Sequence, residues 1–317
     1  MPSAKDDQLA VLSQNVLKAF DEVNGGVHPG FRPAHAKGIL LSGTFRPAAD
    51  GAALTRAPHL HQPSTPVVIR FSDTGGLPTI PDNDPGASPH GIAIRFQLGA
   101  DLQTDIVGHS VDGFPVRTAE ELVEFLHALR ASGPGAPKPT PVESFLAAHP
   151  AALRFVQAPK PQPVSFATES YFSVNAFKFT NQSGVSRFGR YRIRPPGGAE
   201  YLDTAAAAAK PADFLMDEIK ERLARGSARL QILVQMAAAG DPVDDSTIQW
   251  PTDRPEVEFG TLELTAVVPN NQAEQRNTIF DPMPRVDGIE SSGDPLIEAR
   301  SAIYLASGRR RIANVPT

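Results

Sequence analysis

Hydrophobic residues recur at helical spacing near the start of the chain, where residues 6–23 place Leu9, Leu12, Val16 and Phe20 on one face. This spacing predicts an amphipathic opening helix. Capping residues followed by apolar positions predict four further helices, over residues 118–132, 141–148, 211–225 and 294–304.

Short runs rich in β-branched and aromatic residues, broken by Pro and Gly, occupy much of the remaining chain. Seven of them are predicted strands, at residues 38–45, 66–72, 91–98, 170–179, 186–194, 229–237 and 258–268. They are not separated by the regularly placed helices that connect the strands of a parallel sheet. The pattern therefore predicts an α+β protein with an antiparallel sheet or barrel and helical inserts, rather than a doubly wound parallel sheet.

The composition fits a globular chain rich in turns. The 31 Pro and 25 Gly among 317 residues stay below the roughly 25–30% typical of disordered chains. With 41% hydrophobic residues the chain can bury a sizeable core, as one large or two ordinary domains. No internal repeat is visible.

The absence of cysteine excludes several chemistries. Disulfides, iron–sulfur clusters, thiolate zinc sites, thiolate-ligated haem and cysteine nucleophiles all need a sulfur that the chain lacks. Any metal or cofactor must be held by His, Asp, Glu, Tyr or the backbone. The sequence also contains no phosphate-binding loop, no full G-x-G-x-x-G and no nucleophile elbow.

Charge and targeting signals exclude other partners. The net charge of −5 and the pI near 5.9 argue against binding to nucleic acid or to an anionic membrane. The N-terminus lacks the basic start and apolar run of a secretory signal, and no stretch approaches the roughly 20 apolar residues of a membrane span. We expect a cytoplasmic protein, or a periplasmic one if a signal peptide was removed.

Two polar side chains share one face of the last predicted helix. Arg300 and Tyr304 are four positions apart, which makes them neighbours, and Arg311 is close to the same face if the helix continues through Gly308. A guanidinium beside a phenol stabilises the phenolate. The simpler interpretation is an arginine that covers a tyrosine ring.

Two further segments place polar side chains near predicted strands. His35 lies in Arg32-Pro-Ala-His-Ala-Lys-Gly, just before a strand. Arg70 and Ser72 alternate onto one face at the end of the next strand. Each feature alone is ordinary, since a lone histidine is most often a loop or core residue.

Taken together in this order, the segments resemble the haem catalase superfamily. The resemblance extends over residues 28–311 and rests on five motifs in sequence order, at residues 32–38, 68–72, 91–96, 175–179 and 300–304. It implies a catalase-like barrel with a C-terminal proximal helix, as a single domain over residues 1–317. That domain would have an N-terminal helical arm over about residues 1–27 and no C-terminal helical domain.

The resemblance also implies roles for single residues. Tyr304 would be the proximal ligand of haem b, and Arg300 would keep its phenolate ionised. His35 would be the distal acid and base that moves the proton of bound peroxide. Ser72 would orient the His35 ring. The side chains that match haem propionate partners are Arg32, Arg70 and Arg311.

One motif departs from the catalase pattern. Catalases carry Asn-Asn-Thr-Pro after a strand, and the second Asn helps to bind peroxide. The corresponding segment here, residues 105–114, puts Ser110 at that position, so the distal amide is missing. Together with the absent C-terminal domain, this departure resembles the small catalase-related peroxidases.

The predicted function is a haem b peroxidase that reduces hydrogen peroxide or organic hydroperoxides with a small organic electron donor. Three alternatives stay open: a true catalase, a hydroperoxide lyase or isomerase, and a haem-binding protein without catalysis. Because the arm is short and no wrapping segment follows the last helix, we expect a monomer or a homodimer.

Overall fold

The computed structural model describes residues 4–100 and 102–314. Within these ranges the chain forms nine α-helices and ten β-strands. In chain order the elements are α1 (Ala4–Val23), β1 (Gly38–Pro47), α2 (Ala49–Leu54), β2 (Thr65–Ser72), β3 (Gly91–Gln97), β4 (Gln103–His109), α3 (Ala119–Arg130), α4 (Pro141–Ala148), α5 (Pro150–Gln157), β5 (Tyr171–Phe172), β6 (Phe177–Thr180), β7 (Ser186–Arg194), α6 (Thr204–Ala208), α7 (Phe214–Arg225), β8 (Ala228–Met236), β9 (Glu256–Val267), α8 (Asn271–Asn277), β10 (Ile289–Ser291) and α9 (Pro295–Ala313).

Eight of the strands close into an antiparallel barrel. Its order is β1-β2-β3-β4-β5-β7-β8-β9, and β9 pairs back onto β1. Strand β6 pairs with the first half of β7, and β10 extends the sheet from β6. The predicted α+β fold with an antiparallel barrel and helical inserts is therefore confirmed.

Side chains along β1 to β4 alternate between the barrel interior and an outer face that carries polar and small residues. Ile39, Phe71, Ile92 and Ile106 point into the hydrophobic core. In register, Gly38 lies opposite Ser72, Ser72 opposite Gly91, and Gly91 opposite His109. Residues that face each other across antiparallel strands point to the same side of the sheet. These four positions therefore form one row on the outer face.

Helices α1, α3 and α9 pack together over this outer face. Their contacts form a second hydrophobic cluster around Val16 and Leu17 of α1, Ala119 of α3, and Ala299 and Ile303 of α9. Because the cluster is separate from the barrel core, a space remains between the helices and the outer face of the strands. No helix in the described ranges is long and apolar enough to cross a lipid bilayer.

The predicted strands are confirmed with small shifts in their bounds, and two differences stand out. The run 170–179 divides into β5 and β6, because the intervening residues 173–176 leave the sheet. Strand β4 was not predicted. Its Asp105 is buried and paired with Arg95 at 2.7 Å, so the strand lacks an apolar alternation.

The five predicted helices are present, and four short ones, α2, α5, α6 and α8, were not predicted. Helix α7 begins at Phe214 rather than at residue 211. Helix α9 continues through Gly308 to Ala313. A side chain at Gly308 would overlap Ile279, so the glycine allows the segment before residue 280 to lie against the helix. Residues 1–3 of the predicted N-terminal arm lie outside the described residues, and the single domain stays a prediction.

Candidate active site

His35 sits in a backbone conformation that side chains rarely adopt. Its φ is +57°, in the left-handed region, which costs a residue other than glycine about 1–2 kcal/mol. Hydrogen bonds on both sides of the residue hold this conformation: the His35 N–H donates to the Thr74 carbonyl at 2.9 Å, and Arg70 Nη2 donates to the His35 carbonyl at 2.9 Å. A local strain that neighbouring groups maintain is typical of functional sites.

The His35 ring lies against the end of the outer row of strand residues. Its Nδ1 is 3.1 Å from Ser72 Oγ. Gly91 provides the space for this contact, because a Cβ there would be 2.7 Å from both His35 Nδ1 and Ser72 Oγ. The predicted pairing of Ser72 with the His35 ring is present. We call the group formed by His35, Ser72, Gly91 and His109 the strand side of the site.

The His35 imidazole is neutral at physiological pH. Burial lowers its pKa to about 3, and the positive charge of Arg70 adds to the shift. A neutral ring has one nitrogen free to accept a proton. Because Ser72 occupies Nδ1, the nitrogen left for a substrate is Nε2.

Arg300 and Tyr304 of α9 face each other as their spacing predicts. Arg300 Nη2 donates to Tyr304 Oη at 3.1 Å, and the buried guanidinium lies 5.6 Å from the centre of the tyrosine ring. Its Nη1 donates to Asn175 Oδ1 at 2.5 Å. We call Arg300, Tyr304 and their supporting residues the helix side of the site.

Asn175 joins Arg300 to the start of α9. Its amide donates to Asp294 Oδ2 at 2.8 Å, while Asp294 Oδ1 caps the helix by accepting from the Leu296 N–H at 2.9 Å. Burial raises the pKa of the Asp294 carboxyl. The same amide thus holds both the N-cap residue of α9 and Arg300 of the same helix.

Three guanidinium groups cluster at one end of the site without a carboxylate partner. Among the described residues, Arg32, Arg70 and Arg311 make no salt bridge and donate mainly to carbonyl oxygens. Burial and then mutual repulsion lower the pKa of Arg32, and they lower the pKa of Arg70 to about 9. Burial lowers the pKa of Arg311 to about 10. A buried cluster of cations is costly unless an anion binds there.

The prediction that Ser110 faces the site is wrong. Strand pairing places His109 opposite Gly91 on the outer face, and Ser110 follows it beyond the end of β4. The Ser110 hydroxyl accepts from the His90 N–H at 3.0 Å, and Ser110 does not line the cavity described below. The residue that occupies this part of the site is His109.

A cavity of about 1270 Å³ separates the strand side from the helix side. Its size exceeds the roughly 300–1,000 Å³ of pockets for drug-sized ligands. Every predicted site residue except Ser110 lines it: Arg32, His35, Arg70, Ser72, Arg300, Tyr304 and Arg311. The structure therefore brings together residues that lie up to 279 positions apart in the sequence.

Residues 29–315 match the family model for catalase. The chain belongs to the catalase family. A catalase-related peroxidase of Mycolicibacterium paratuberculosis is 35% identical over 301 residues, which cover 93% of this chain and 94% of the relative. A catalase-related peroxidase of Synechococcus elongatus is 34% identical over 305 residues, with coverages of 95% and 89%. Membership makes the protein a haem-dependent oxidoreductase of the catalase and peroxidase class.

Solved catalases share the fold. A fungal catalase superposes with a TM-score of 0.79 at 21% identity, covering 90% of this chain and 60% of its own. Catalase A from Saccharomyces cerevisiae gives a TM-score of 0.78 at 20% identity, with coverages of 90% and 62%. The chain thus spans about 60% of the length of these solved catalases.

The residues of the cavity fit the haem that catalase-family proteins bind. A porphyrin with two propionates is a dianion, and the three uncompensated guanidinium groups at one end of the cavity supply the matching positive charge. The phenol beside Arg300 is a suitable iron ligand, and the cavity is large enough for a large planar molecule.

Sequence reasoning missed three contributors to the site. The motif match leaves the parity of β4 open, so the sequence does not indicate His109. The sequence indicates Asn175 only as part of a motif and Asp294 only as a helix cap. The available signal was that cap: a buried Asp at the start of the helix that carries Arg300 and Tyr304.

Proposed function

We propose that the protein is a haem b peroxidase that reduces hydrogen peroxide or an organic hydroperoxide with a small organic electron donor. In this proposal Tyr304 holds the haem iron through its phenolate oxygen, and His35 moves the proton of the bound peroxide. The observation that carries it is a single cavity lined by both the His35–Ser72 pair and the Arg300–Tyr304 pair.

The strand side supports proton transfer. The neutral His35 ring accepts the peroxide proton at Nε2, while Ser72 holds Nδ1 and fixes the ring orientation. The ring then returns the proton to the departing oxygen. Overall the peroxide takes two electrons and two protons and yields water with an alcohol or a second water. When bound, the haem supplies the redox chemistry, and the organic donor supplies the electrons.

The helix side supports the iron ligand. The Arg300 guanidinium at 3.1 Å from Tyr304 Oη stabilises negative charge on that oxygen. Asn175 holds the guanidinium in place, and Arg32, Arg70 and Arg311 would pair with the propionates. This arrangement presents the Tyr304 oxygen to the cavity beside a fixed positive charge.

The lining of the cavity also bears on the substrate. Apolar side chains of α3 and α5 line it, and two of them, Leu129 and Val156, are 39% and 45% exposed, so the apolar lining reaches the surface. This favours an apolar hydroperoxide or an aromatic donor. It also favours a second candidate function, the rearrangement of a lipid hydroperoxide without a donor.

The test combines spectroscopy with two assays. We expect the purified protein to show a high-spin ferric haem with a phenolate ligand, and to oxidise a phenolic donor with peroxide faster than it releases oxygen from peroxide alone. Rapid oxygen release with negligible donor oxidation would indicate a true catalase. A protein without haem would contradict the proposal.

For the second candidate, products are analysed after adding a lipid hydroperoxide without donor: an epoxide supports rearrangement, and an unchanged hydroperoxide rejects it.

A further inference from the structure

A second pocket, of about 420 Å³, borders the end of the cavity where the three guanidinium groups cluster. Arg32 lines both spaces. Arg70 lines the cavity, and its Nε donates to Oε1 of Gln275, which lines the second pocket, at 2.8 Å. Arg311 also lines the cavity, and its Nε donates at 2.8 Å to the carbonyl of Arg276 in the second pocket. The three arginines and their partners therefore form the wall between the cavity and what we call the small pocket.

The small pocket has an excess of positive charge. Both of its lysines are paired with carboxylates that also line it: Lys37 with Asp213 at 2.6 Å and Lys220 with Asp217 at 3.0 Å. Its two arginines, Arg32 and Arg276, form no salt bridge within residues 4–100 and 102–314. The lining charges left without a partner are therefore both positive, and they favour an anion.

Arg276 is the cation of the small pocket that is available to a ligand. Its side chain is half-buried and makes no hydrogen bond, ring contact or salt bridge with any residue that the structure describes. Arg32, by contrast, donates to the Thr278 carbonyl at 2.9 Å and lines the cavity as well. Because Arg32 would pair with a propionate in the proposed function, an anion in the small pocket would pair with Arg276.

The rest of the lining suits a small organic molecule rather than a bare ion. The apolar side chains of Phe31, Met216 and Val267 line the small pocket together with the exposed amide of Gln272. The volume falls within the roughly 300–1,000 Å³ of small-molecule sites. A ring that carries a hydroxyl group and a carboxylate could contact the apolar side chains, hydrogen-bond to the amide and pair with Arg276.

We propose that the small pocket is the binding site of the electron donor, and that this donor is a small organic anion such as a phenol that carries a carboxylate. The inference rests on the proposed function, which needs two substrates. The small pocket brings the donor to the cationic end of the cavity and leaves the cavity itself to the peroxide. Donor and peroxide would therefore bind at the same time.

The position also suits electron transfer, which weakens steeply with distance. A molecule in the small pocket contacts Arg32 and the partners of Arg70 and Arg311, so it lies next to the place where we propose that the propionates bind. Each phenol that gives up one electron and one proton becomes a radical. Two phenols thus balance the two electrons and two protons with which one peroxide yields water and an alcohol or a second water.

Two phenols that differ in charge test the site. The probes are ferulate and its uncharged methyl ester, and the variant is Arg276→Gln. Calorimetric titration of the holoprotein without peroxide gives the dissociation constant of each probe, and oxidation at saturating hydrogen peroxide gives its KM and kcat. We expect Arg276→Gln to raise the dissociation constant and the KM of ferulate about tenfold, because one charge-assisted hydrogen bond is lost. The values for the ester and the KM for hydrogen peroxide should not change.

Arg187→Gln is the matched control, because Arg187 is an exposed arginine of β7 that lines neither space. It should bind ferulate like the unmodified protein. Arg276→Glu reverses the charge, so it should weaken ferulate binding further and strengthen binding of the cationic phenol tyramine. An unchanged dissociation constant for ferulate in Arg276→Gln, or an equal change for ferulate and its ester, would overturn the inference. Competition between ferulate and hydrogen peroxide would overturn it as well, since it would place the donor in the cavity.

The outcomes separate this inference from the proposed function. If the unmodified holoprotein oxidises ferulate with peroxide while Arg276→Gln leaves the ferulate affinity unchanged, only the donor site fails. If ferulate binding depends on Arg276 but neither phenol is oxidised, the anion site stands and the proposed function fails.

Discussion

The two sides of the cavity are built in different ways. On the helix side, the functional pair lies on one helix, four positions apart, and one amide from the segment between β5 and β6 fixes it to the start of that helix. On the strand side, His35 comes from a loop, and the groups around it come from β2, β3 and β4. One side is held by local geometry, and the other by the register of the sheet.

This difference has a physical consequence. A helix holds residues four positions apart in contact whatever the rest of the fold does, so the Arg300–Tyr304 pair tolerates small movements elsewhere. The His35 ring has no such local support. It depends on a left-handed backbone and on the absence of a side chain at Gly91. The strand side should therefore be the more sensitive to small changes in packing.

The largest effect is expected on the helix side, where we propose that Tyr304 holds the haem iron. Tyr304→Phe removes the phenol oxygen, so we expect the phenolate signature to disappear from the haem spectrum and turnover to fall by more than about 1,000-fold. This fall should exceed the loss of about 10- to 100-fold that follows removal of a residue that only orients a metal ligand. The measurement is the ferric absorption spectrum with peroxide-dependent donor oxidation. Tyr201→Phe, a change at a half-exposed tyrosine bonded to Glu169, is the control. An unchanged spectrum in Tyr304→Phe would contradict the ligand assignment.

The next effect is expected on the strand side. His35→Gln removes the proposed proton acceptor, and we expect about 10²- to 10⁴-fold lower turnover with the haem still bound. Steady-state kinetics and the haem content of the same sample check this result. His149→Gln, at a histidine stacked on Phe145 away from the cavity, should leave the rate unchanged. Normal turnover in His35→Gln would contradict the role proposed for His35 and indicate that another group moves the proton.

A smaller change sharpens the comparison directly. Gly91→Ala places a methyl group 2.7 Å from both His35 Nδ1 and Ser72 Oγ, so the ring must move although the helix side is untouched. We expect about tenfold lower kcat, because a displaced base loses part of its proton-transfer advantage, and an unchanged haem spectrum. Gly99→Ala, where a Cβ meets nothing within 4 Å, is the matched control. Equal rates for the two variants would show that the strand side tolerates such movement.

The same contrast explains what the sequence could predict. The Arg300–Tyr304 pair follows from helical spacing alone, and most strands follow from their own alternation. The residues of β4 that face outward cannot be predicted in this way. Its buried Asp105, which forms a salt bridge with Arg95 of β3, interrupts the alternation of apolar and polar residues. A shift of one residue exchanges the two faces of a strand, so a motif match alone does not distinguish Ser110 from His109. The Asn175–Asp294 contact spans 119 positions and becomes visible only in the folded chain.

The smallest effect concerns acid stability of the haem-free protein, and here the two sides act in opposite directions. The pKa of the buried His109 falls to about 3, so between that value and the ordinary histidine pKa of about 6.5 the unfolded chain binds a proton that the folded chain does not. Stability from this ring is complete above about pH 6.5 and is lost as the pH falls toward 3, by about 1.4 kcal/mol per pH unit.

Asp294 on the helix side has a raised pKa, so its contribution is complete below the ordinary carboxyl pKa and is lost as the pH rises through the raised value. We therefore expect His109→Phe to flatten the fall of the unfolding free energy between pH 6 and pH 4.5, by up to about 1.4 kcal/mol per pH unit. Asp294→Asn should steepen the fall in the range just above the ordinary carboxyl pKa of about 3.9, because it removes the opposing contribution. Denaturant unfolding at a series of pH values measures both slopes. Parallel curves for His109→Phe and the unmodified protein would mean that the His109 ring is not held neutral in the folded state.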